Sequence, residues 1–157
     1  MRRWFFTLLM ILFPVSLFAE ASPQDTTAWV TAIVDGDTVW VLEVIWRSPL
    51  VAQPLFLVTP VKVRLAGIDA PELAGQCPAE TKLGKQASDA MRELIPPGTE
   101  VILRNVKADK YHQRVVADIV SPNNVDIGGE FLKRGLVKTW NGRGPSPSFC
   151  PTPLLTH

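Results

Sequence analysis

Five segments of the chain either alternate apolar and polar residues or are dense in Val, Ile, Thr and Trp. Such patterns predict β-strands, because successive side chains of a strand point to opposite faces of a sheet. The first two segments flank Asp35-Gly36, a dipeptide typical of a tight hairpin turn that needs no other purpose. The predicted strands are residues 27–34, 38–45, 61–66, 99–106 and 114–120.

Two further segments have helical periodicity. In residues 78–95, leucines and alanines recur at spacings of three and four, Pro78 suits the first turn, and two prolines end the pattern. A shorter helix is expected at about residues 126–134. Between the second and third strands, residues 47–60 contain three prolines and indicate a long connection or an irregular edge.

The order of these elements is three strands, a helix, two strands and a helix. It predicts a mainly β, α+β protein: a five-stranded OB-fold barrel with one helix after strand 3 and a short one after strand 5. OB-folds commonly bind nucleic acids or sugars, but the order of elements does not by itself reveal function.

The first residues do not belong to this barrel. Arg2 and Arg3 precede an apolar run at 4–18, and small residues at 19–21 suit signal peptidase. An uncleaved membrane anchor is the alternative, but the run is shorter than the ~20 residues that span a bilayer, and Pro14 interrupts it.

We therefore expect an exported protein, periplasmic or secreted, with no stable membrane association after cleavage. The expected divisions are a signal peptide at 1–21, one domain at 22–150 and a C-terminal tail at 151–157. Removal of the leader lowers the formal net charge from +1 to 0. Proteins that hold nucleic acid by bulk electrostatics are usually strongly basic, so phosphate would here be bound by a few placed arginines, a metal ion, or both.

The chain has two cysteines, Cys77 and Cys150, and both lie in the part expected to be exported. An even count in an oxidising compartment favours a disulfide, with two buried thiols or a redox pair as alternatives. Their spacing excludes a C-x-x-C motif. Two cysteines without nearby histidines also make a poor zinc site.

Charged residues gather at two turns and one strand end. Asp37 adds a carboxylate that the hairpin turn does not require, and Arg64, Asp69 and Glu72 cluster where the third strand ends. A solvated loop with a surface ion pair is the alternative. If the two aspartates converge, they offer the oxygen ligands of a hard cation, and Glu72 would stand near a bound water.

Residues 109–114 predict a polar turn, which needs no further function. Alternatively, Arg114 at its end supplies a second guanidinium opposite Arg64. Phosphodiester hydrolysis builds negative charge on phosphorus. Two arginine guanidinium groups and a metal ion would stabilise that charge.

In their order and spacing, four segments resemble the staphylococcal nuclease (thermonuclease) family over roughly residues 29–140. The segments are VDGDTV at 34–39, VRLAGIDAPE at 63–72, DKY at 109–111 followed by Arg114, and LKRGL at 132–136. The resemblance implies a Ca²⁺-dependent phosphodiesterase on an OB-fold. Its substrates would be DNA and RNA, preferably single-stranded, and it would cut the P–O5′ bond to leave 3′-phosphates. We expect a monomer.

The resemblance also implies roles for single residues. Asp37, Asp69 and the backbone carbonyl of Ala70 would bind Ca²⁺, and Glu72 would be the general base or would position the attacking water. The phosphate ligands would be Arg64 and Arg114 at the scissile phosphate and Lys110 and Tyr111 at the terminal phosphate.

The chain departs from the family pattern at several places. Ala70 replaces a threonine, which is compatible with a carbonyl ligand, and the turn before Arg114 is one residue longer. The tyrosines that flank the base are absent, which leaves Trp140 as the only nearby stacking candidate, with a core tryptophan as the alternative.

Two other functions stay open. The chain could be a catalytically inactive OB module that binds nucleic acid or a protein partner, or an exported OB-fold that binds oligosaccharide or protein. In a protein that has lost catalysis, the acidic residues and arginines of the site should be the first to be substituted. All five of the matching side chains are present, which favours the enzyme.

Overall fold

The computed structural model describes residues 25–45, 57–111 and 113–152. The described residues form seven strands and two helices. In chain order these are β1 (Thr26–Ile33), β2 (Thr38–Ile45), β3 (Leu57–Leu65), β4 (Ile68–Asp69), α1 (Pro78–Leu94), β5 (Glu100–Ala108), β6 (Arg114–Val120), α2 (Ile127–Lys133) and β7 (Lys138–Thr139).

Five strands close into a barrel in the order β1-β2-β3-β6-β5. Neighbouring strands are antiparallel except β3 and β6, which are parallel. Alternate residues fill the interior, so that Val39, Val41 and Val63 are fully buried. Both helices contribute to the same apolar core, α1 through Met91 and α2 through Phe131. The predicted fold class, an OB-type barrel with a helix after strand 3 and a short helix after strand 5, is confirmed.

The third strand is longer than the sequence pattern predicted. It begins at Leu57 rather than at residue 61, so the end of the proline-containing segment 47–60 is strand. Pro60 pairs with Leu42 of β2, but β6 joins β3 only from Lys62 onward. Pro60 therefore lies where β3 is an edge, and its missing N–H interrupts no ladder.

Several sequence predictions fall on residues that the structure does not describe. The predicted signal peptide at 1–21, residues 46–56 of the long connection and most of the tail at 151–157 lie outside the described residues. Within the described part, no helix is both long and apolar enough to cross a membrane.

Gly36 has a different role from the one that the hairpin pattern suggested. Its φ angle is not positive, so the turn does not require a glycine for its conformation. A Cβ atom at Gly36 would lie 2.6 Å from the Cβ of Ala87 and 2.9 Å from the Cβ of Ala70. Gly36 is instead the point where helix α1 packs directly against the β1–β2 turn.

A disulfide joins Cys77 to Cys150, with Cα atoms 5.9 Å apart. Cys77 is the N-cap residue of α1, so the bridge ties the C-terminal segment to the start of that helix. The predicted disulfide is therefore confirmed.

We expect the double variant Cys77→Ser/Cys150→Ser to lose about 2–5 kcal/mol of unfolding free energy, because the unfolded chain gains freedom when the bridge is absent. The bridged cysteines are 73 residues apart, a separation for which chain entropy gives a value of about 4–5 kcal/mol. Urea denaturation would measure the loss. Reductant should weaken the wild-type protein by the same amount and leave the double variant unchanged. Alkylation of both cysteines in the unreduced, folded protein would contradict the bridge.

Candidate active site

A cavity of about 840 Å³ opens at one end of the barrel, where the β1–β2 turn, the end of β3, the β5–β6 turn and the segment after β7 meet. Nearly all of the side chains proposed from the sequence line it. They are Asp37, Arg64, Asp69, Glu72, Lys110, Tyr111, Arg114 and Trp140.

Arg64 lies at the centre of this cleft and is only 9% exposed. Its Nη2 donates to Oδ2 of Asp37 at 3.0 Å and to Oδ1 of Asp69 at 2.7 Å. The β2–β3 register explains this convergence, because Arg64 pairs with Thr38 and the Leu65 amide donates to the Asp37 carbonyl. Two aspartates far apart in sequence are thereby aimed at the same point.

The Asp37 carboxylate is held by three donors. The Thr38 hydroxyl donates to Oδ1 at 2.7 Å, and Oδ2 accepts from the Ala70 amide at 3.1 Å as well as from Arg64. The amide of Asp37 in turn donates to the Asp35 carboxylate at 3.0 Å. Ala70 itself lies beneath the cleft, 8% exposed, and its contact with Asp37 is through the amide. These bonds lock the rotamer of a buried carboxylate, as a metal ligand requires.

The cleft floor carries more carboxylates than the single guanidinium can neutralise. Burial raises the pKa of Glu72, and the carboxylates of Asp35 and Asp37 raise it further. Burial also raises the pKa of Asp69 although Arg64 opposes the shift. An oxygen-only donor set with excess negative charge fits a hard divalent cation.

A second group of potential ligands, Cys77, Cys150 and Glu80, lies at the first turn of α1. The two sulfur atoms are bonded to each other, so they are not available to a metal ion.

The opposite wall of the cleft is basic and aromatic. Arg114 begins β6, its Nε donates to the Asp109 carboxylate, and its guanidinium lies 4.6 Å from the centre of the Tyr111 ring. Burial raises the pKa of Asp109, but the hydrogen bond and charge of Arg114 and the backbone hydrogen bonds from Lys110 and Tyr111 together outweigh it and leave the pKa lowered. The extra residue in the turn is absorbed with a positive φ of 64° at Gln113. The longer turn therefore still places Arg114 in the cleft.

Trp140 lies in the cleft and not in the core. Strand β7 pairs with β4, and the Trp140 amide donates to the Gly67 carbonyl at 2.9 Å. This pairing sets the indole 5.0 Å from the Arg64 guanidinium and 5.8 Å from Lys110 Nζ. Strands of two residues are too short for a periodic pattern, so the sequence did not predict them.

Sequence reasoning missed other residues that line the cleft, among them Trp40, Lys62 and Arg143. For Trp40 a signal existed, because strand alternation places it on the face opposite to Val39 and Val41. Trp140 is thus not the only aromatic candidate for stacking.

Gly84 of helix α1 positions the loop that carries Glu72. A Cβ atom at Gly84 would lie 2.6 Å from the Glu72 carbonyl oxygen and 2.8 Å from that of Pro71. These neighbours are backbone atoms, which cannot rotate away. The helix and the loop are therefore in contact only because residue 84 has no side chain.

We expect Gly84→Ala to lower the turnover rate on a nucleic-acid substrate by about 10- to 100-fold, because the added methyl group displaces Glu72 by a fraction of an ångström or more. Gly128→Ala in α2 is the matched control, since its nearest neighbour would be 3.8 Å away. Rates and melting temperatures of both variants would be measured. Full activity of Gly84→Ala would contradict this role of the close contact.

Two comparisons with known proteins agree on a family. Residues 62–147, more than half of the chain, match the family model of the staphylococcal nuclease homologues. This segment contains Arg64, Asp69, Glu72 and Arg114, while Asp37 joins them only through the β2–β3 pairing.

The chain is also similar to "Endonuclease YhcR" of Bacillus subtilis (strain 168), with 23% identity over 117 residues. The aligned region covers 71% of this chain but 9% of that much longer protein. With the family model matched over more than half of the chain and most of the residues that line the cleft, the chain belongs to the family of staphylococcal nuclease homologues.

Proposed function

We propose that the protein is a metal-dependent nuclease that hydrolyses phosphodiester bonds of DNA and RNA, and that its metal ion is Ca²⁺. The observation that carries the proposal is the cleft itself. A buried arginine is shared by two aspartates on one wall, and a second arginine faces them from the other. The Bacillus subtilis protein with which the chain aligns is named an endonuclease.

In this proposal Asp37 and Asp69 hold the cation, with the Ala70 carbonyl as a third ligand. Bound Ca²⁺ would supply positive charge next to the scissile phosphate and lower the pKa of a coordinated water. The fit rests on the donor set, because oxygen ligands with excess negative charge favour Ca²⁺ or Mg²⁺ over softer metals.

The protein's own groups do the remaining work. Glu72 accepts a proton from the attacking water, and its raised pKa brings it closer to the pH at which a base works best. Arg64 and Arg114 bind the equatorial oxygens, on which negative charge grows. Lys110 and Tyr111 contact a neighbouring phosphate, and the indole of Trp140 offers a stacking surface beside them. Cleavage of the P–O5′ bond leaves a 3′-phosphate and a 5′-hydroxyl, whose oxygen takes up a proton as it departs.

We also propose that the protein acts after export, in the periplasm or outside the cell. Two features support this location: the apolar leader expected at residues 1–21, and a disulfide of the kind that persists in oxidising compartments. The monomeric state and the preference for single strands belong to the same proposal.

The test uses the full chain, expressed with its leader and purified in oxidised form. Denatured DNA carrying a 5′ label is incubated with Ca²⁺, with Mg²⁺ or with EDTA. We expect cleavage in Ca²⁺ that EDTA abolishes, with fragments that change mobility after removal of a 3′-phosphate. Mass spectrometry of the same sample reports whether the leader has been removed. Binding without cleavage in any divalent cation would favour the inactive OB module instead.

A further inference from the structure

Three neighbouring strands carry an aromatic and two cationic side chains in one row. Trp40 of β2 pairs with Lys62 of β3, and Lys62 pairs with Arg114 of β6. Residues paired in this way point to the same face of a sheet. The Tyr111 ring lies over Arg114 and continues the row at its far end. The outer face of the barrel therefore has an aromatic group at each end of a cationic stretch.

Both Trp40 and Lys62 line the cleft that contains Arg64 and Asp37. The ammonium of Lys62 lies 4.9 Å from the centre of the Trp40 ring. Among the described residues, Lys62 forms no ion pair with a carboxylate. Its charge is thus free to meet an anion in the cleft.

The fold has no need of a tryptophan at this position. The core face of β2 is formed by Val39 and Val41, which are fully buried, while Trp40 points away from them and is only half-buried. A simple cation–π pair on the surface is the plainer explanation. One observation favours a ligand, because the pair opens into the cleft. It agrees with the general rule that OB-folds receive oligonucleotides on the outer face of strands 2 and 3.

We propose that Trp40 and Lys62 form an additional nucleotide subsite, in which a base stacks on the indole and the adjoining phosphate lies against the ammonium. The proposal rests on the proposed function, because it assigns this site to the same substrate strand. The strand would run from Lys110 and Tyr111, past Arg114, to Lys62 and Trp40. The protein would then prefer single-stranded substrates of several nucleotides over dinucleotides, since only unpaired bases can stack on a side chain.

The first test is a double-mutant cycle between protein and ligand. Fluorescence anisotropy measures the binding of short single-stranded DNAs in Ca²⁺, in a Glu72→Gln background that slows cleavage. One abasic residue is moved along the strand. We expect Trp40→Ala to weaken binding of intact DNA by about 5- to 30-fold, the usual effect of losing one stacked base. At one position along the strand, the abasic residue should weaken binding to the Glu72→Gln protein. At that position it should not further weaken binding to the protein that also carries Trp40→Ala.

Matched variants separate stacking from structure. Trp40→Phe keeps a ring and should restore most of the binding, and Trp40→Thr removes the ring with a residue that strands accept, should the alanine variant fail to fold. Trp29→Ala is the control, because Trp29 is 37% exposed on β1 and lies outside the cleft. Unchanged binding of both ring-less variants, or an abasic effect that persists in them at every position, overturns the stacking site.

Lys62 has a test of its own in the salt dependence of binding. Lys62→Ala should reduce the slope of log K against log salt concentration by about 0.7, the value for one phosphate contact on a single strand. Lys133→Ala, an exposed lysine of α2, should leave the slope unchanged. An unchanged slope in Lys62→Ala overturns the phosphate contact.

The failure of this proposal can be told from the failure of the proposed function. Coupling between Trp40 and one base, together with a wild-type protein that does not cleave, would support the subsite and reject the nuclease. Cleavage by the wild-type protein without any coupling would reject the subsite and leave the nuclease intact.

Discussion

Glu72→Gln is expected to slow the cleavage of denatured DNA in Ca²⁺ by about 10²- to 10⁴-fold, the usual contribution of a general base. Glutamine has nearly the same shape as glutamate but cannot accept a proton from water at neutral pH. Glu72 lines the cleft and its carboxylate is close enough to those of Asp35 and Asp37 for their charges to raise its pKa. The variant should therefore lose turnover and not substrate binding.

Single-turnover rates and anisotropy would separate these two effects. Glu93→Gln is the control, because Glu93 is exposed near the end of α1 and lies outside the cleft. A Glu72→Gln protein with the full wild-type rate would show that the base is another group. The family assignment and the fold would be unaffected by that result.

Arg64→Ala is the second change with a large expected effect. It removes the only cation that the described structure places against Asp37 and Asp69, whose side chains are 9% and 15% exposed. Removing one partner of a buried ion pair typically costs about 3–5 kcal/mol, because the remaining charge has neither water nor a counterion. We expect a loss of that size in EDTA, and a fall in the cleavage rate of about 10²- to 10³-fold, since a phosphate ligand is lost as well.

Calcium should restore part of the stability of this variant. A cation bound between Asp37 and Asp69 replaces the missing guanidinium, and any ligand that binds only the folded state stabilises it. Ca²⁺ should therefore raise the melting temperature of Arg64→Ala by more than it raises that of the wild type. Arg104→Ala provides the comparison. It breaks an exposed ion pair with Asp25, for which we expect about 0–1 kcal/mol in any buffer.

Equal stability of Arg64→Ala and the wild-type protein in EDTA would contradict the view that Arg64 neutralises the aspartates. A variant that is less stable but gains nothing from Ca²⁺ would support that view and reject the metal site. Urea denaturation with Ca²⁺ and with EDTA distinguishes these results.

The strands, the helices and the disulfide were predictable from the sequence because their signals are local or compositional. Valines at alternate positions of β2 can be buried only if the segment is extended, and the prolines after α1 end any helix. A chain with two cysteines offers each of them one possible intramolecular partner. The gathering of Asp37, Arg64, Asp69, Glu72 and Arg114 was predicted from the resemblance, and all five line one cleft.

Other features depend on contacts between segments that are distant in the chain. Gly36 and Gly84 are glycines because helix α1 approaches two loops too closely for a side chain, and no local pattern encodes that distance. Trp140 reaches Arg64 only through the pairing of two short strands.

The sequence by itself determined the five barrel strands and the two helices, favoured the joining of the two cysteines and identified the charged residues that were candidates for the site. Only the tertiary structure decided which side chains share the cleft. The register of β2, β3 and β6 set Trp40, Lys62 and Arg114 in one row, and the lengthened β5–β6 turn still held Arg114 in place. The physical reason is that register and close packing are set by the burial of the whole core, to which residues from every element contribute.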